Sequence, residues 1–362
     1  MEKDRIINAL SKIRHPELNK DLVSLEMVNN VSVEGNKIKI TLLFKKPVDP
    51  LANSVKKNVI STLQSELGKQ FEIEVENVFP HHDLKEKVAF KGIKNIVAVA
   101  SGKGGVGKST VAVNLAVALA SQGYKVGLLD ADIFGPSIPK MFGVEDAKPG
   151  MVKVKGESLI EPIEKFGVKL LSVGFFVDPG QALVWRGPMA TNALKQLMEQ
   201  ANWGNLDIVL IDMPPGTSDI HLTVVQTVAV SGAVVVTTPQ EVALADAIKG
   251  INMFRSEAIN VPVLGLVENM SWFTPAELPG NKYYLFGKGG GEKLAKKLNV
   301  PLLGQIPIVQ SICDGGDSGK PVSLMADRAD GIAFKVLATN MMNSLNERNK
   351  REATKKVEIT NK

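Results

Sequence analysis

The sequence predicts an α/β protein in which a doubly wound, mainly parallel sheet follows a small α+β domain. Continuous apolar runs of strand length recur after residue 95, and helical stretches separate them. Such runs indicate strands that are covered on both faces, as in a parallel sheet with a layer of helices on each side. We predict strands at Ile96–Ala100, Val126–Leu129, Val168–Leu171, Ile208–Ile211, Ala233–Thr237 and Val263–Val267.

The amino-terminal part has the periodicities of a separate small α+β domain. Apolar residues at helical spacing predict amphipathic helices over Asp4–Ile13 and Val55–Leu67. Alternating apolar residues predict a hairpin formed by Val31–Val33 and Lys37–Leu42. A similar alternation over Phe71–Val78 predicts a strand that closes this domain.

Composition divides the chain into four parts. Residues 1–80 form the small domain, the charged residues 81–94 form a linker, and residues 95–346 form the main domain. A last helix near Ile332–Leu345 gives way to residues 347–362, which we predict to be a mobile polar tail. This tail has six Lys or Arg against three Glu, so it carries +3 of the formal net charge of +5. A chain-wide basic surface for nucleic acid is therefore not indicated.

Several protein classes are disfavoured by composition. Hydrophobic residues make up 44% and charged residues 22% of the chain, which is typical of a globular protein. The amino terminus is charged from its second residue, and the apolar runs are too short to span a bilayer. We therefore expect no secretory signal, no membrane partner and a cytoplasmic protein. Because Cys313 is the only cysteine, one chain can form neither a disulfide nor a four-thiolate metal site.

A phosphate-binding loop follows the first predicted strand of the main domain. The segment Gly102-Lys-Gly-Gly-Val-Gly-Lys-Ser-Thr110 matches G-x-x-x-x-G-K-[ST] and precedes the helical stretch Val111–Ala120. Its glycines let backbone N–H groups converge on phosphate oxygens at a helix N-terminus. Lys108 would neutralise the β- and γ-phosphates of ATP, and the Ser109 hydroxyl would ligate Mg²⁺. The predicted nucleotide-binding residues are Gly102, Lys103, Gly104, Gly105, Val106, Gly107, Lys108, Ser109 and Thr110.

Acidic residues end two of the other predicted strands. Ligands of open α/β sheets bind at the carboxyl ends of the strands, so we expect Asp212 to hold a water bound to Mg²⁺. Asp130 and Asp132 end the second strand in the same way. Gly216, after Asp212-Met-Pro-Pro, is predicted to offer its N–H to the γ-phosphate and so to sense hydrolysis.

The second lysine in the loop, Lys103, resembles the deviant Walker A motif of the MinD/ParA/nitrogenase-iron-protein class. That resemblance implies an ATP-dependent homodimer in which Lys103 reaches the nucleotide of the partner. It also implies that Lys103, Lys108 and Asp132 are the catalytic residues, with Asp132 positioning the attacking water. Asp130 would then lie near the Mg²⁺ ligands, and Asn269 would contact adenine.

Further motifs resemble the Mrp/ApbC family, whose members are described as iron–sulfur cluster carriers. The resemblance covers the ATPase domain, and residues 1–80 are similar to a small domain shared with iron–sulfur assembly factors. It implies transfer of iron–sulfur clusters to apoproteins, with assembly proteins or apoprotein clients as partners. The matching stretches are Asp130–Ser137, Trp185–Met189, Asp212–Asp219, Glu268–Ser271, Phe286–Gly291, His15–Glu17 and Leu22–Leu25.

The sequence departs from this family where the cluster ligands are expected. Members usually carry a C-x-x-C pair just after the Asn-Met-Ser segment, but Thr274-Pro-Ala-Glu277 stands there. The cysteine that is frequent in the small domain is also missing, since Lys45–Pro50 occupies its place. Clusters are normally held by four thiolates, and two copies of Cys313 supply only two. The cluster ligands are therefore unassigned, and we expect Cys313, a weak candidate, to be a small, partly buried residue.

Alternative interpretations remain open at this point. The chain is either an ATPase that carries clusters or a cysteine-poor scaffold or chaperone that holds none. A MinD/ParA-like partitioning ATPase is a third possibility, but the segment after Leu345 has few apolar residues for a membrane. His81–His82 is interpreted as a solvated pair, and Gly287–Gly291 as either a second anion site or a flexible loop.

Overall fold

The chain divides into two compact units, residues 1–86 and 87–362. The computed structural model describes residues 2–15, 20–44, 52–68, 70–78, 89–176, 187–275, 277–278, 280–325 and 327–351. Several segments singled out above lie outside these residues. They are Pro16, Glu17, Lys45–Pro50, residues 81–88 of the predicted linker with His81–His82, Trp185, Arg186, Ala276 and residues 352–362 of the predicted tail.

The small unit is a three-stranded sheet packed against two helices. Strands β1 and β2 form the predicted antiparallel hairpin, and β3 pairs parallel to β2. Its core holds apolar side chains from both helices and from the central strand, among them Leu10, Ile40 and Leu63. The element bounds are α1 Glu2–Leu10, β1 Val28–Glu34, β2 Lys37–Leu43, α2 Ala52–Leu67 and β3 Glu72–Val78.

The large unit is built on an eight-stranded sheet in the order β13-β12-β11-β4-β10-β5-β9-β8. Every pair in it is parallel except β8 with β9, so the mainly parallel sheet is confirmed. The strands are β4 Ile96–Ser101, β5 Val126–Asp130, β8 Ile163–Lys165, β9 Val168–Ser172, β10 Ile208–Asp212, β11 Gly232–Thr237, β12 Val263–Glu268 and β13 Leu302–Gln305.

Helices cover both faces of this sheet, which makes the fold doubly wound. One apolar cluster joins the sheet to α3 and α10 through residues such as Leu115 and Leu337. The other joins it to α5, α6, α7 and α8 through residues such as Leu194 and Ile251. The bounds are α3 Lys108–Ser121, α4 Ile138–Phe142, α5 Gly187–Glu199, α6 Asp219–Thr227, α7 Glu241–Arg255, α8 Gly290–Leu298, α9 Gln310–Asp317 and α10 Ala329–Arg351.

The structure contains strands that the sequence did not reveal. Strands β8 and β13 are edge strands of three and four residues, too short to give a clear apolar pattern. A separate antiparallel hairpin joins β6 Met151–Val154 to β7 Glu157–Ile160. Its side chains are half-buried or exposed, so it lacks the apolar run used to find the buried strands.

Two predicted boundaries differ from the structure. Residues 89–94 belong to the large unit instead of a linker, because Phe90 is buried with its ring edge-on to Trp203 at 5.4 Å. Helix α10 continues to Arg351, five residues into the predicted mobile tail. Polar residues continue this helix beyond its buried face, and Asn349 anchors it by donating a hydrogen bond to Asn95 at 2.8 Å.

Within the described part of the chain, no helix has the length and apolar character needed to span a bilayer.

Candidate nucleotide site

The phosphate-binding loop lies between β4, in the middle of the sheet, and the start of α3. Gly105 and Gly107 have φ angles of 80° and 79°, a left-handed conformation that glycine adopts without strain. Helix α3 begins at Lys108, so the loop N–H groups and the helix N-terminus face the same space. The structure thus gives the motif the strand, loop and helix context that phosphate binding requires.

Gly102 is fixed by packing against α7. A Cβ atom at this position would lie 2.1 Å from the backbone oxygen of Asp246, which is far inside contact distance. The loop therefore starts at a point of contact with α7, and only glycine fits there. This close approach is a structural reason for the first glycine of the motif, independent of phosphate binding.

Lys108 and Ser109 both bind the carboxylate of Asp212. The Lys108 ammonium donates to Asp212 Oδ1 at 2.7 Å, and the Ser109 hydroxyl donates to Asp212 Oδ2 at 2.6 Å. The lysine also lies 3.2 Å from Ser109 Oγ and 3.8 Å from Asp132 Oδ2. Lys108 and Asp212 are buried, so their charges neutralise each other at the carboxyl edge of the sheet.

A second buried carboxylate, Asp130, lies beside Asp212 in the paired strands β5 and β10. It accepts hydrogen bonds from the Ser172 hydroxyl at 2.9 Å and from the Asp132 N–H at 3.1 Å. Burial, and then the negative charge of Asp212, raise the pKa of the Asp130 carboxyl to about 8. Since Lys108 faces Asp212, Asp212 is the ionised member and Asp130 holds a proton at neutral pH.

Asp132 projects from the turn after β5 into the cavity at the phosphate-binding loop. Burial raises the pKa of its carboxyl, while the Lys108 ammonium opposes that shift. The cavity has a volume of about 230 Å³. Its lining residues come from the loop, from the turns after β5 and β10 and from α4, and they include Lys103, Lys108, Ser109, Thr110, Asp132, Met141 and Pro215.

Gly216 is engaged in a backbone hydrogen bond. Its N–H donates to the Ser101 carbonyl at 2.9 Å, and its φ angle is 77°. Contact between this N–H and a γ-phosphate would require that hydrogen bond to break. Two residues further on, the Ser218 N–H donates to His221 Nδ1 at 3.1 Å and so caps α6.

Asn269 lies against the phosphate-binding loop. Its side-chain amide donates to the Val106 carbonyl at 2.8 Å, and a Cβ atom on Gly107 would lie 2.2 Å from the amide nitrogen. Asn269 is buried and follows β12 directly. The sequence-predicted residues of the loop, Asp130, Asp132, Asp212, Gly216 and Asn269 therefore converge on one edge of the sheet.

Sequence reasoning missed two polar residues at this edge. Ser172 ends β9, paired in register with Asp130, and it is the hydroxyl partner of that carboxylate. Glu268 ends β12, is buried, and accepts from the Gly291 N–H and from Gln305 Nε2. Both end strands, which is the same signal that identified Asp130 and Asp212.

The Glu268 carboxylate occupies the N-terminus of α8, so the second anion site considered at Gly287–Gly291 is filled by the protein itself.

Cys313 lies on α9, and it is exposed, which contradicts the expectation of a partly buried residue. Its Sγ is 3.9 Å from Asp317 Oδ2. The buried residue of α9 is Gly315, so the cysteine lies on the outer side of this short surface helix. Among the described residues, no cluster of three or more His, Cys, Asp or Glu side chains could hold a metal ion.

The fold and this site define the protein as a P-loop NTPase with a mainly parallel sheet and a second lysine in its phosphate-binding loop. A family described as NUBPL iron-transfer P-loop NTPase matches residues 92–342, and one described as iron–sulfur cluster assembly protein matches residues 3–76. The chain belongs to this family of iron-transfer P-loop NTPases, which includes the Mrp/ApbC-type proteins.

Similar proteins match most of the chain. A protein of Synechocystis sp. named iron–sulfur cluster carrier protein is 45% identical over 321 residues, covering 88% of this chain and 90% of the relative. The protein of the same name in Escherichia coli strain K12 is 43% identical, covering 91% of this chain and 88% of the relative.

Solved structures share the fold of the large unit. A nucleotide-binding protein from Archaeoglobus fulgidus in complex with ADP superposes with a TM-score of 0.58 at 38% identity, covering 70% of this chain and 95% of that chain. The cell division ATPase MinD of Pyrococcus furiosus gives a TM-score of 0.50 at 23% identity, over 69% of this chain and 98% of that chain. This last likeness concerns the fold alone.

Proposed function

We propose that this protein is an ATP-hydrolysing dimeric switch that drives the transfer of iron–sulfur clusters to apoproteins. The observation that carries this proposal is the convergence of Lys103, Lys108 and Asp132 on one cavity at the carboxyl edge of the sheet. Membership of the iron-transfer P-loop NTPase family supports iron–sulfur clusters as the cargo. The names of the relatives, iron–sulfur cluster carrier proteins, support it as well.

The loop residues would bind the phosphates, and Asn269 would contact adenine. A bound triphosphate gives Lys108 new anionic partners in place of Asp212, its partner at 2.7 Å. Mg²⁺ prefers oxygen ligands, and the Ser109 hydroxyl and the Asp212 carboxylate, 2.6 Å apart, fit that preference. These two residues would hold Mg²⁺ with the nucleotide, directly or through water, and the ion would neutralise phosphate charge. Asp130, the buried neighbour of Asp212 in the adjacent strand, would help to hold the Asp212 carboxylate in position.

Hydrolysis would depend on groups from two protomers. Lys103 lines the cavity, and among the described residues it has no ion-pair partner. We propose that its ammonium reaches the nucleotide of a second copy, while Asp132 positions the attacking water. Gly216 would exchange its hydrogen bond to the Ser101 carbonyl for the γ-phosphate, and the loss of that phosphate would restore it. This exchange would report hydrolysis to α6.

The iron–sulfur cluster is the cargo of this reaction. The residues of one chain do not form a complete binding site for it. The single cysteine is exposed on α9, and a dimer offers two thiolates where four are usual. We therefore propose that partner proteins, either assembly factors or the apoprotein clients, supply ligands during transfer. A scaffold that holds no cluster of its own is the alternative that this lack of thiolates favours.

Anaerobic reconstitution with iron and sulfide separates these two possibilities. Wild type and Cys313→Ala are compared by iron content and by the visible absorbance spectrum. A cluster that is present in wild type and lost in the variant would place a ligand at Cys313 and support carriage. No cluster in either protein would support the scaffold.

The transfer activity itself is tested with a separate donor and acceptor. A cluster-loaded scaffold protein and an apo-ferredoxin are mixed anaerobically with this protein, with and without MgATP. The proposal expects MgATP to accelerate the appearance of the ferredoxin spectrum with wild type but not with Lys108→Ala. Equal rates under all conditions would contradict a nucleotide-driven transfer.

Cytoplasmic residence stays a prediction.

A further inference from the structure

His221 is a buried histidine in the first turn of α6, and the mechanism proposed above gives it no part beyond capping that helix. It is 1% exposed, and its ring lies near the ring of Phe254 on α7, with the ring centres 6.5 Å apart. Residues 213–217, called here the 213–217 turn, join β10 to the start of α6 and include Gly216. His221 therefore lies directly after the segment that we propose to sense the γ-phosphate.

His221 holds both backbone groups of Ser218. Its Nδ1 accepts from the Ser218 N–H at 3.1 Å, and its own backbone N–H donates to the Ser218 carbonyl at 3.0 Å. Burial lowers the pKa of His221 to about 4, and the Lys108 ammonium acts in the same direction, so the ring is neutral at pH 7. Because Nδ1 is the acceptor, this neutral ring carries its proton on Nε2.

The Nε2–H group of the ring is buried and has no acceptor among the described residues. Most buried polar groups are paired, because a buried donor without an acceptor is costly. The cap alone does not require this donor, since a glutamate at the third helical position bonds the N-cap N–H and leaves no buried N–H over. The imidazole therefore offers a donor that capping does not use.

The 213–217 turn offers acceptors that are equally unused. No N–H or O–H group of the described residues donates to the carbonyls of this turn. Two of its residues, Pro214 and Pro215, have no N–H of their own. The Gly216 N–H is bonded to the Ser101 carbonyl at 2.9 Å. A change in the turn that frees this N–H can also bring one of its carbonyls to the ring.

We propose that His221 is a positioning residue for ATP hydrolysis. Its Nε2–H bonds a carbonyl of the 213–217 turn when the Gly216 N–H leaves the Ser101 carbonyl for the γ-phosphate. The ring then holds the segment at two points, at Ser218 through Nδ1 and at the turn through Nε2. The new bond stabilises the form of the site that contains a γ-phosphate, and a bound MgADP gains nothing from it. This inference rests on the ATP hydrolysis proposed above.

Two variants of the full chain test this role by steady-state kinetics. His221→Leu keeps an apolar side chain and has neither ring nitrogen, while His221→Gln keeps an acceptor for the cap and an N–H donor. We expect kcat for MgATP to fall about tenfold in His221→Leu, which is about 1.4 kcal/mol, with the Kd for MgADP unchanged. His221→Gln should recover most of the wild-type kcat. Thr227→Val, which removes a hydroxyl bond at the other end of α6, is the control for helix stability and should match wild type.

A wild-type kcat for His221→Leu would overturn the proposal while leaving ATP hydrolysis itself intact. Parallel losses of kcat and of MgADP affinity in His221→Leu would overturn it too, because they indicate a structural role alone. A kcat of His221→Gln as low as that of His221→Leu is a third contrary result.

Ring ¹⁵N NMR of wild type tests the same bond without hydrolysis and without a destabilising variant. The chain has four histidines, so the ring signals are few, and the spectrum of His221→Gln identifies the signal of His221. A non-hydrolysable ATP analogue with Mg²⁺ should shift the His221 Nε2–H signal, and MgADP should leave it at its nucleotide-free position. The same shift with both nucleotides, or with neither, would overturn the proposal. If wild type does not hydrolyse ATP, the proposed function fails, and this spectrum still shows whether His221 responds to the γ-phosphate.

Discussion

The ammonium of Lys108 lies 2.7 Å from Asp212 Oδ1, in a pair from which water is almost excluded. The lysine comes from the phosphate-binding loop and the aspartate from the end of β10, so the pair joins two adjacent strands at the carboxyl edge. A buried ion pair of this kind is costly to break on one side only. We propose that a bound nucleotide releases the lysine, because its phosphates would replace the carboxylate as the negative partner.

Lys108→Ala should abolish tight nucleotide binding, because the phosphates lose their buried cation. Removing one partner of such a contact costs about 2 kcal/mol or more, which corresponds to at least about a 30-fold rise in Kd. Isothermal titration with MgATP measures the change, and Lys335→Ala on α10 is the control. Thermal unfolding run in parallel shows whether the variant is folded. A folded variant with the wild-type Kd would contradict the assignment.

Lys103→Ala should preserve nucleotide binding and slow hydrolysis by at least about tenfold, the loss of one charged contact in the transition state. The reason is that its proposed target belongs to the other protomer. Phosphate release under saturating MgATP gives the rate, and titration gives the Kd. If the variant hydrolyses ATP at the wild-type rate, the dimer mechanism fails.

Asp132→Asn should bind MgATP but not hydrolyse it efficiently. The amide retains the size of the side chain and loses the negative charge proposed to orient water. Single-turnover hydrolysis is expected to slow by about a hundredfold, within the usual range for a catalytic carboxylate. Asp246→Asn, a partly exposed aspartate on α7, is a suitable control. Rapid turnover by Asp132→Asn would show that another group positions the water.

Gly102→Ala should destabilise the fold before any nucleotide is considered. The new Cβ would lie 2.1 Å from the Asp246 backbone oxygen, and overpacking of this kind costs about 1 to 3 kcal/mol. Gly104→Ala is the matched control, since the nearest atom to its Cβ would be Pro215 Cγ at 4.0 Å. Urea unfolding in nucleotide-free buffer compares the two free energies. Equal values would mean that α7 moves away without cost.

Deprotonation of Asp130 should lower the stability of the fold as pH rises toward 8. The pKa of its carboxyl is about 8 in the fold, well above the ordinary value of an aspartate. The folded state therefore holds a proton that the unfolded state has released above about pH 4. This stabilisation is complete below that pH and is lost as pH rises through 8.

Asp130→Asn tests this pH dependence, because an amide resembles the protonated carboxyl. Between pH 5 and 8 the free energy of unfolding should fall with pH more steeply for wild type than for Asp130→Asn. The two slopes should differ by up to about 1.4 kcal/mol per pH unit. Urea unfolding without magnesium or nucleotide gives both profiles. Parallel profiles would mean that Asp130 is ionised in the fold.

The residues of the nucleotide site could be predicted because their sequence signals are local. The phosphate-binding loop follows a buried strand directly, and Asp130 and Asp212 end strands of the same parallel sheet. Ser172 lies in none of the motifs, and Glu268 was noted only as the first residue of the Glu268–Ser271 stretch. The hydrogen bonds that their side chains make depend on which strands are neighbours in the sheet, and the sequence does not show this. Edge strands such as β8 have too few residues for a periodicity, so only tertiary pairing reveals them. The exposure of Cys313 likewise depends on how α9 packs.

We propose that ATP closes a dimer of this chain around two nucleotides. The most direct measurement is the molar mass of Asp132→Asn by sedimentation velocity with saturating MgATP, beside the same protein carrying the additional change Lys103→Ala. Asp132→Asn should form a stable dimer, twice the 39.0 kDa of one chain, and a weaker dimer when Lys103 is also replaced. A monomer mass for Asp132→Asn at saturating MgATP would contradict it.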